Sequence, residues 1–323
     1  MRSNRRTSAL LRGAFTGEEF EAARAGTARD GSPGLDTCTD SQRRLRVRLA
    51  LGLFNDYAKD YGNNSWCCPA VCSYNVTFSP RMNSLVVITD CPRNVAGRIV
   101  ARGEGLRVPG LRYNPDKECS QHTVHIIDIV SGAEMIVTDR VTGRIKPGPA
   151  KLERPRIAAA RDLGMLELTE AEEQALGQIP EMTSAIEILL AALTVRLDAR
   201  DPQGGWAMGY WFWDPLDRPG APRVSSAYGF QRVLHGRGNR WELRWSEFPY
   251  VQDVATMLTH PVIGIPGCEA RPVSDGYDIA LGNSTLALRS WYAVDEAGSN
   301  LRPHAKRRPP VIRRAGRCRR PGL

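Results

Sequence analysis

The stretch EARPVSDGYDIALGNSTLALRSW, residues 269–291, constrains the fold more than any other part of the chain. It reads as three strands, EARPV, YDIAL and TLALRSW, separated by the turn signals SDG and GNS. Connections this short join antiparallel neighbours, so the segment predicts a meander. WELRWS at 241–246 adds a strand that is apolar on one side: Trp241, Leu243 and Trp245 alternate with Glu242, Arg244 and Ser246. WAMGYWFW at 206–213 shows the same period, with Trp206, Met208, Tyr210 and Phe212 on one side and Trp211 and Trp213 on the other. YVQDVATMLTH reads as a helix between the two strand sets. Six of the seven tryptophans fall in this region, so residues 200–292 are expected to form a Trp-rich α+β domain.

A second pattern of the same kind precedes it. Leu45, Leu49, Leu53, Phe54, Tyr57 and Tyr61 recur at helical spacing and predict a helix over 43–61. AVCSYNVTF alternates as a strand, with Cys72, Tyr74, Val76 and Phe78 on one face; SPRMN turns the chain and SLVVITD follows as a buried strand. A helix near 93–102 and the hairpin HTVHIIDIV–SGAE–MIVTD complete an α+β domain over 43–147. The proline-bearing GRIKPGPAKLERPR marks a boundary, and residues 148–199 are expected as linker and helix pair. Within it Thr169 and Glu172 stand in capping-box register. Met182, Ile186, Leu189, Leu193 and Leu197 form the stripe of a longer helix. No internal repeat of fixed period is visible.

Residues 1–42 read as a flexible lead holding one short helix and a Gly/Ser/Pro/Asp linker, and residues 293–323 as a disordered basic tail. Within the lead, TGEEFEAARAG resembles an N-terminal segment of uncharacterised proteins from GC-rich actinobacteria; the likeness spans about a dozen residues and implies no activity.

Charge narrows the partners. The formal net charge is +9. Nine basic residues and no acid lie from Arg302 onward, which leaves 35 basic and 35 acidic residues in the body. Arginine outnumbers lysine 39 to 5, a bias expected from a GC-rich genome rather than from phosphate binding. No apolar run reaches the roughly 18 residues of a membrane span, and the basic start lacks the apolar core of a signal peptide. A cytoplasmic location with reduced cysteines is the expectation.

Candidate chemistry is sparse. Zinc would need four converging ligands. Cys67 and Cys72 offer one pair and Cys119 and His122 a second, but neither has C-x-x-C spacing, and Cys72 fits a buried strand stripe. No G-x-S-x-G, H-E-x-x-H, P-loop or G-x-G-x-x-G occurs, so no cofactor is expected. The acids Asp214 and Asp217 in WDPLDRPG, together with His235, are the other candidates for a cleft site. Residues 170–199 lack donors for base edges and make a poor helix-turn-helix. Trp211 and Trp213, if exposed, mark a binding surface. Arg307, Arg308, Arg313, Arg314, Arg319 and Arg320 of the tail could neutralise phosphates without reading sequence. The expected function is a non-enzymatic soluble binding or accessory protein with an unidentified protein partner. The alternatives are an enzyme with an inter-domain cleft and non-specific nucleic-acid association through the tail.

Overall fold

Two threonine-capped helices, packed against each other, organise the chain. The computed structural model describes residues 2–55, 75–100, 108–140, 167–211, 214–218, 232–245 and 248–290. Helix α1 spans Arg2–Thr16, α2 Phe20–Gly26 and α3 Asp40–Leu53. The Thr39 hydroxyl caps α3 by accepting the Gln42 N–H, satisfying a donor left free at the helix start. Strands β1 (Asn75–Pro80) and β2 (Ser84–Thr89), helix α4 (Pro92–Val100), and strands β3 (Leu111–Tyr113), β4 (Thr123–Asp128) and β5 (Glu134–Thr138) follow. After α5 (Glu170–Gly177) comes α6 (Ser184–Val195), whose cap Thr183 accepts the Ile186 N–H in the same way. Strands β6 (Arg232–Arg237) and β7 (Arg240–Trp245), helix α7 (Val251–Leu258), and strands β8 (Cys268–Val273), β9 (Gly276–Leu281) and β10 (Ser284–Ser290) complete the described fold.

The class is α+β, with two five-stranded, mostly antiparallel sheets ordered β1-β2-β5-β4-β3 and β6-β7-β10-β9-β8. Each has a single parallel contact, β2 with β5 and β7 with β10. Relabelling β1 to β5 as β6 to β10 converts the first order into the second, and α3 and α4 map onto α6 and α7. The chain therefore contains the unit α-β-β-α-β-β-β twice. Helices α4 and α7 cover corresponding strands of their own sheets, and α3 packs along α6 between the units. α6 falls in the helix pair expected within residues 148–199, and in the order of elements it opens the second unit. The repeat escapes a search for fixed sequence period because it is a repeat of topology and pairing rather than of residues.

The buried apolar cluster is continuous, from Phe15 and Leu45 through Leu85, Val137, Ile186, Leu189 and Leu193 to Leu243, Leu286 and Leu288. Each such leucine or isoleucine contributes about 1.5–3 kcal/mol by leaving water. Of the expected stripe, Ile186, Leu189 and Leu193 are buried on α6, while half-buried Met182 and buried Leu197 lie just outside its two ends.

Two expectations are corrected. The lead carries two helices in contact with the body: Ala9, Arg12 and Phe15 are buried, and Ala22 of α2 packs on Val86, Ile88 and Ile136, the outer face of the first sheet. Its anchor is an ion pair, Arg12 Nε with Glu18 Oε2 at 2.5 Å, both side chains fully buried, and charged residues do not announce burial. WAMGYW, the described part of WAMGYWFW, is no regular strand: Ala207 makes one isolated bridge to Arg200, and Gly209–Trp211 is a 3-10 turn. Gly209 (φ +53°) supplies the turn, and a Cβ there would meet Pro215 Cδ at 2.9 Å.

Candidate functional site

The second sheet has one face turned inward and one outward, as period-two alternation requires. Inward rows such as Leu234–Leu243–Leu288 are fully buried. The outward rows follow from the strand registers. One is His235–Glu242–Ala287–Asp278–Arg271, and its neighbours hold Val233–Arg244–Arg289 and Arg240–Thr285–Ala280–Glu269. All of these residues are half-buried or exposed. Their charges are laced across the surface: Arg244 Nε meets Glu242 Oε1 at 2.9 Å, and Arg289 reaches Asp278 at 2.5 Å and Asp275 at 3.1 Å. Corresponding positions of the first sheet are Val86, Ile88 and Ile136, apolar and packed under α2. The polarity of each outer face thus matches its covering, and the second face combines exposed charges with small central residues.

The remaining candidates have structural partners. Trp211 is completely buried, its ring tilted against Phe54 at 4.5 Å and Trp245 at 5.1 Å between centroids. It is therefore a core residue and not a surface anchor. Trp206, Trp241 and Trp245 are buried as well, and Trp213 lies outside the described residues. The Trp245 indole donates to the Pro249 carbonyl at 2.7 Å, as a buried N–H must.

Asp214 and Asp253, from the loop before β6 and the first turn of α7, hold Arg218 between them. Arg218 Nε donates to Asp214 Oδ2 at 2.8 Å and its Nη2 to Asp253 Oδ2 at 2.7 Å. The guanidinium lies over the Tyr250 ring at 4.1 Å. Burial alone would lower the arginine's proton affinity; its hydrogen bonds to Asp214 and Asp253 outweigh this and raise it above its usual value. Burial raises Asp253 above the usual carboxylate range against the opposing pull of Arg218. Every carboxylate oxygen here accepts a hydrogen bond, so the group ties the loop to α7. Asp217 is exposed in a left-handed turn conformation (φ 48°), and His235 is exposed on β6 opposite Glu242. The structure does not bring these two into the Asp214 cluster.

Cys119 is buried, and its sulfur accepts the His125 N–H at 3.4 Å. His122 Nδ1 faces Asp139 Oδ2 at 2.6 Å, while the His125 ring faces Glu134 Oε1 at 3.0 Å. Among the described residues no three His, Cys, Asp or Glu side chains are grouped as metal ligands. Cys67, Cys72 and the tail arginines Arg307, Arg308, Arg313, Arg314, Arg319 and Arg320 lie outside the described residues. No helix among the described residues is long and apolar enough to cross a membrane.

Sequence reasoning missed the most unusual ionisable group, Asp198. It stands in the turn after α6, where its Oδ2 accepts the Phe78 N–H of β1 at 3.2 Å. Its Oδ1 is buried without a hydrogen-bond partner among the described residues, although the Thr77 side chain lies close by. Burial, reinforced by the nearby Glu18, pushes this carboxyl up to about 8. The only signal in the sequence is an acid just past the end of an apolar helix.

Comparison with protein-family models, with curated proteins and with solved structures finds no match.

Proposed function

We propose that the protein is a non-enzymatic binding or accessory protein that recognises a partner protein through the outer face of its second sheet. The observation that carries this is the contrast between the two units. Where the first presents Val86, Ile88 and Ile136 to α2, the second presents Glu242, Arg244 and Ala287 at half-exposed positions. An acidic pair, Glu242 and Asp278, beside the arginine row Arg244–Arg289 supplies specificity through charge complementarity, and the central Ala287, Thr285 and Ala280 allow close approach. A cytoplasmic setting belongs to this reading, supported by the absence of an apolar span in the sequence. The test is cross-linking of the full chain in an extract of its source cells, beside the charge-reversed variants Arg244→Glu and Asp278→Lys. A partner captured by the wild type and lost from both variants supports the proposal. Equal capture by all three, or no capture, refutes it.

A second reading rests on the tail, whose nine basic residues from Arg302 onward have no acid among them. Such a segment binds phosphates without sequence preference. A salt titration of nucleic-acid binding by the full chain, against a chain ending at Leu301, tests it. Binding that falls steeply with salt and vanishes on truncation supports the reading; absence of binding at low salt overturns it.

A further inference from the structure

The N-terminal lead is fastened to the body around Asp198. The Phe15 carbonyl accepts the Arg200 N–H at 2.8 Å, and the Phe15 ring lies 4.7 Å from that of His260. The Thr77 hydroxyl of β1 donates to the Thr16 carbonyl at 2.8 Å. Arg12 spans Glu18 and the Pro80 carbonyl at the end of β1. Beneath these ties sits the Asp198 carboxyl, with Oδ2 on the Phe78 N–H and Oδ1 buried near the Thr77 side chain, without a hydrogen-bond partner of its own among the described residues.

Of the charged groups on the packed elements, Glu18 of the α1–α2 loop acts directly on Asp198. Arg12 of α1 and Arg81 of the β1–β2 turn act on Glu18, Arg200 lies against Gly17, and His260 lies against Phe15. Glu18 already occupies Arg12 with both of its oxygens. A second negative charge at Asp198 therefore has no dedicated counter-ion among the described residues and faces Glu18 across the contact with the lead.

We propose that the lead is a proton-gated cover on the outer face of the first sheet, closed while Asp198 is protonated and opening at α1 and α2 when Asp198 ionises. Opening carries Glu18 away, gives Asp198 access to water and uncovers Val86, Ile88 and Ile136, the apolar residues under Ala22. A carboxyl that ionises at about 8 when closed and near 3.8 when open makes the opening constant rise about tenfold per pH unit across that interval, then level off.

The test is hydrogen exchange of the full chain between pH 5 and 9, corrected for intrinsic exchange, on wild type and on the isosteric variant Asp198→Asn. The expected result has three parts. Amides of residues 8–27 exchange at least about tenfold faster than those of β9 and β10, as local opening requires. Their protection falls about a hundredfold from pH 5.5 to 7.5 and flattens above 8. In Asp198→Asn this fall is absent. Lead amides as protected as β9 and β10 would show that the lead opens only with the whole fold and overturn the proposal, as would an equal fall in wild type and variant.

Discussion

The side chain of Asn55 brackets the backbone of Leu234: Nδ2 donates to the carbonyl at 3.0 Å and Oδ1 accepts the N–H at 2.9 Å. Asn55 follows the helix that opens the first unit, and Leu234 lies on β6, an edge strand of the second. The mirror contact runs the other way. Asp198, just past the helix that opens the second unit, accepts the N–H of Phe78 on β1, an edge strand of the first sheet. Each unit thus closes part of the other's open edge, where unpaired N–H groups would otherwise invite foreign strands.

Asn55→Ala leaves the Leu234 N–H and carbonyl without partners, and a buried unpaired polar group costs about 1–3 kcal/mol. The predicted loss is about 2–4 kcal/mol by urea denaturation at pH 7. Asn55→Asp adds a pH signature. The carboxylate still accepts the N–H but repels the carbonyl, so the variant recovers stability as pH falls and the acid regains a proton to donate. A variant equally impaired at pH 4 and pH 7 would contradict this account.

Arg218→Ala removes the cation shared by two carboxylates that are almost fully buried. Leaving buried charge uncompensated costs about 3–5 kcal/mol. Because loop and helix are both released, proteolysis near residues 214–218 should accelerate along with the fall in thermal midpoint. Unchanged cleavage would show that other contacts hold the loop.

Glu172 closes a capping box on α5 and also accepts from Gly110 N–H at 3.0 Å and from Arg112. Burial would raise its carboxyl, but the hydrogen bonds from Arg112, Thr169 and Gly110 bring it down to about 2. A lowered carboxyl contributes stability that is present above its unfolded value near 4.5 and lost as pH falls towards 2. Glu172→Gln should therefore destabilise at pH 7 and converge with wild type near pH 2. Thr169→Ala, which removes the other half of the box, should cost about 1 kcal/mol.

Leu189→Ala empties a fully buried position on the helix that packs along α3. Loss of the methyl groups together with the cavity left behind costs about 2–5 kcal/mol. Because the apolar cluster runs through both units, denaturation should stay a single transition by fluorescence and by circular dichroism. Two separated transitions would mean that the units unfold independently.

Much of the architecture was legible because it obeys local rules. The β8–β10 meander, the alternation of Trp241, Leu243 and Trp245 and the capping box at Thr169 are all governed by neighbours in sequence. What stayed hidden depends on distant partners. Arg12 and Glu18 read as solvated charges until each supplies the other's counter-ion in the interior. The duplication is concealed because Val86 and Ile136 of one unit correspond to Glu242 and Ala287 of the other, covered in one case and half-exposed in the second. Trp211 has a strand's spacing, but a turn at Gly209 folds it into the core beside Phe54.

The most direct test of the exchanged clamps is the stability of wild type and Asp198→Asn by urea denaturation from pH 4 to pH 9. A carboxyl raised by burial gives stability that is whole below the unfolded value of 3.8 and lost progressively as pH rises to about 8. A tenfold change in proton affinity is worth about 1.4 kcal/mol. Asparagine keeps an oxygen for the Phe78 N–H and matches the neutral Asn55 of the other clamp. The account predicts that Asp198→Asn is the more stable by on the order of 2–5 kcal/mol at pH 8, with the two curves converging near pH 4. Parallel curves, or a variant less stable at pH 8, would contradict it.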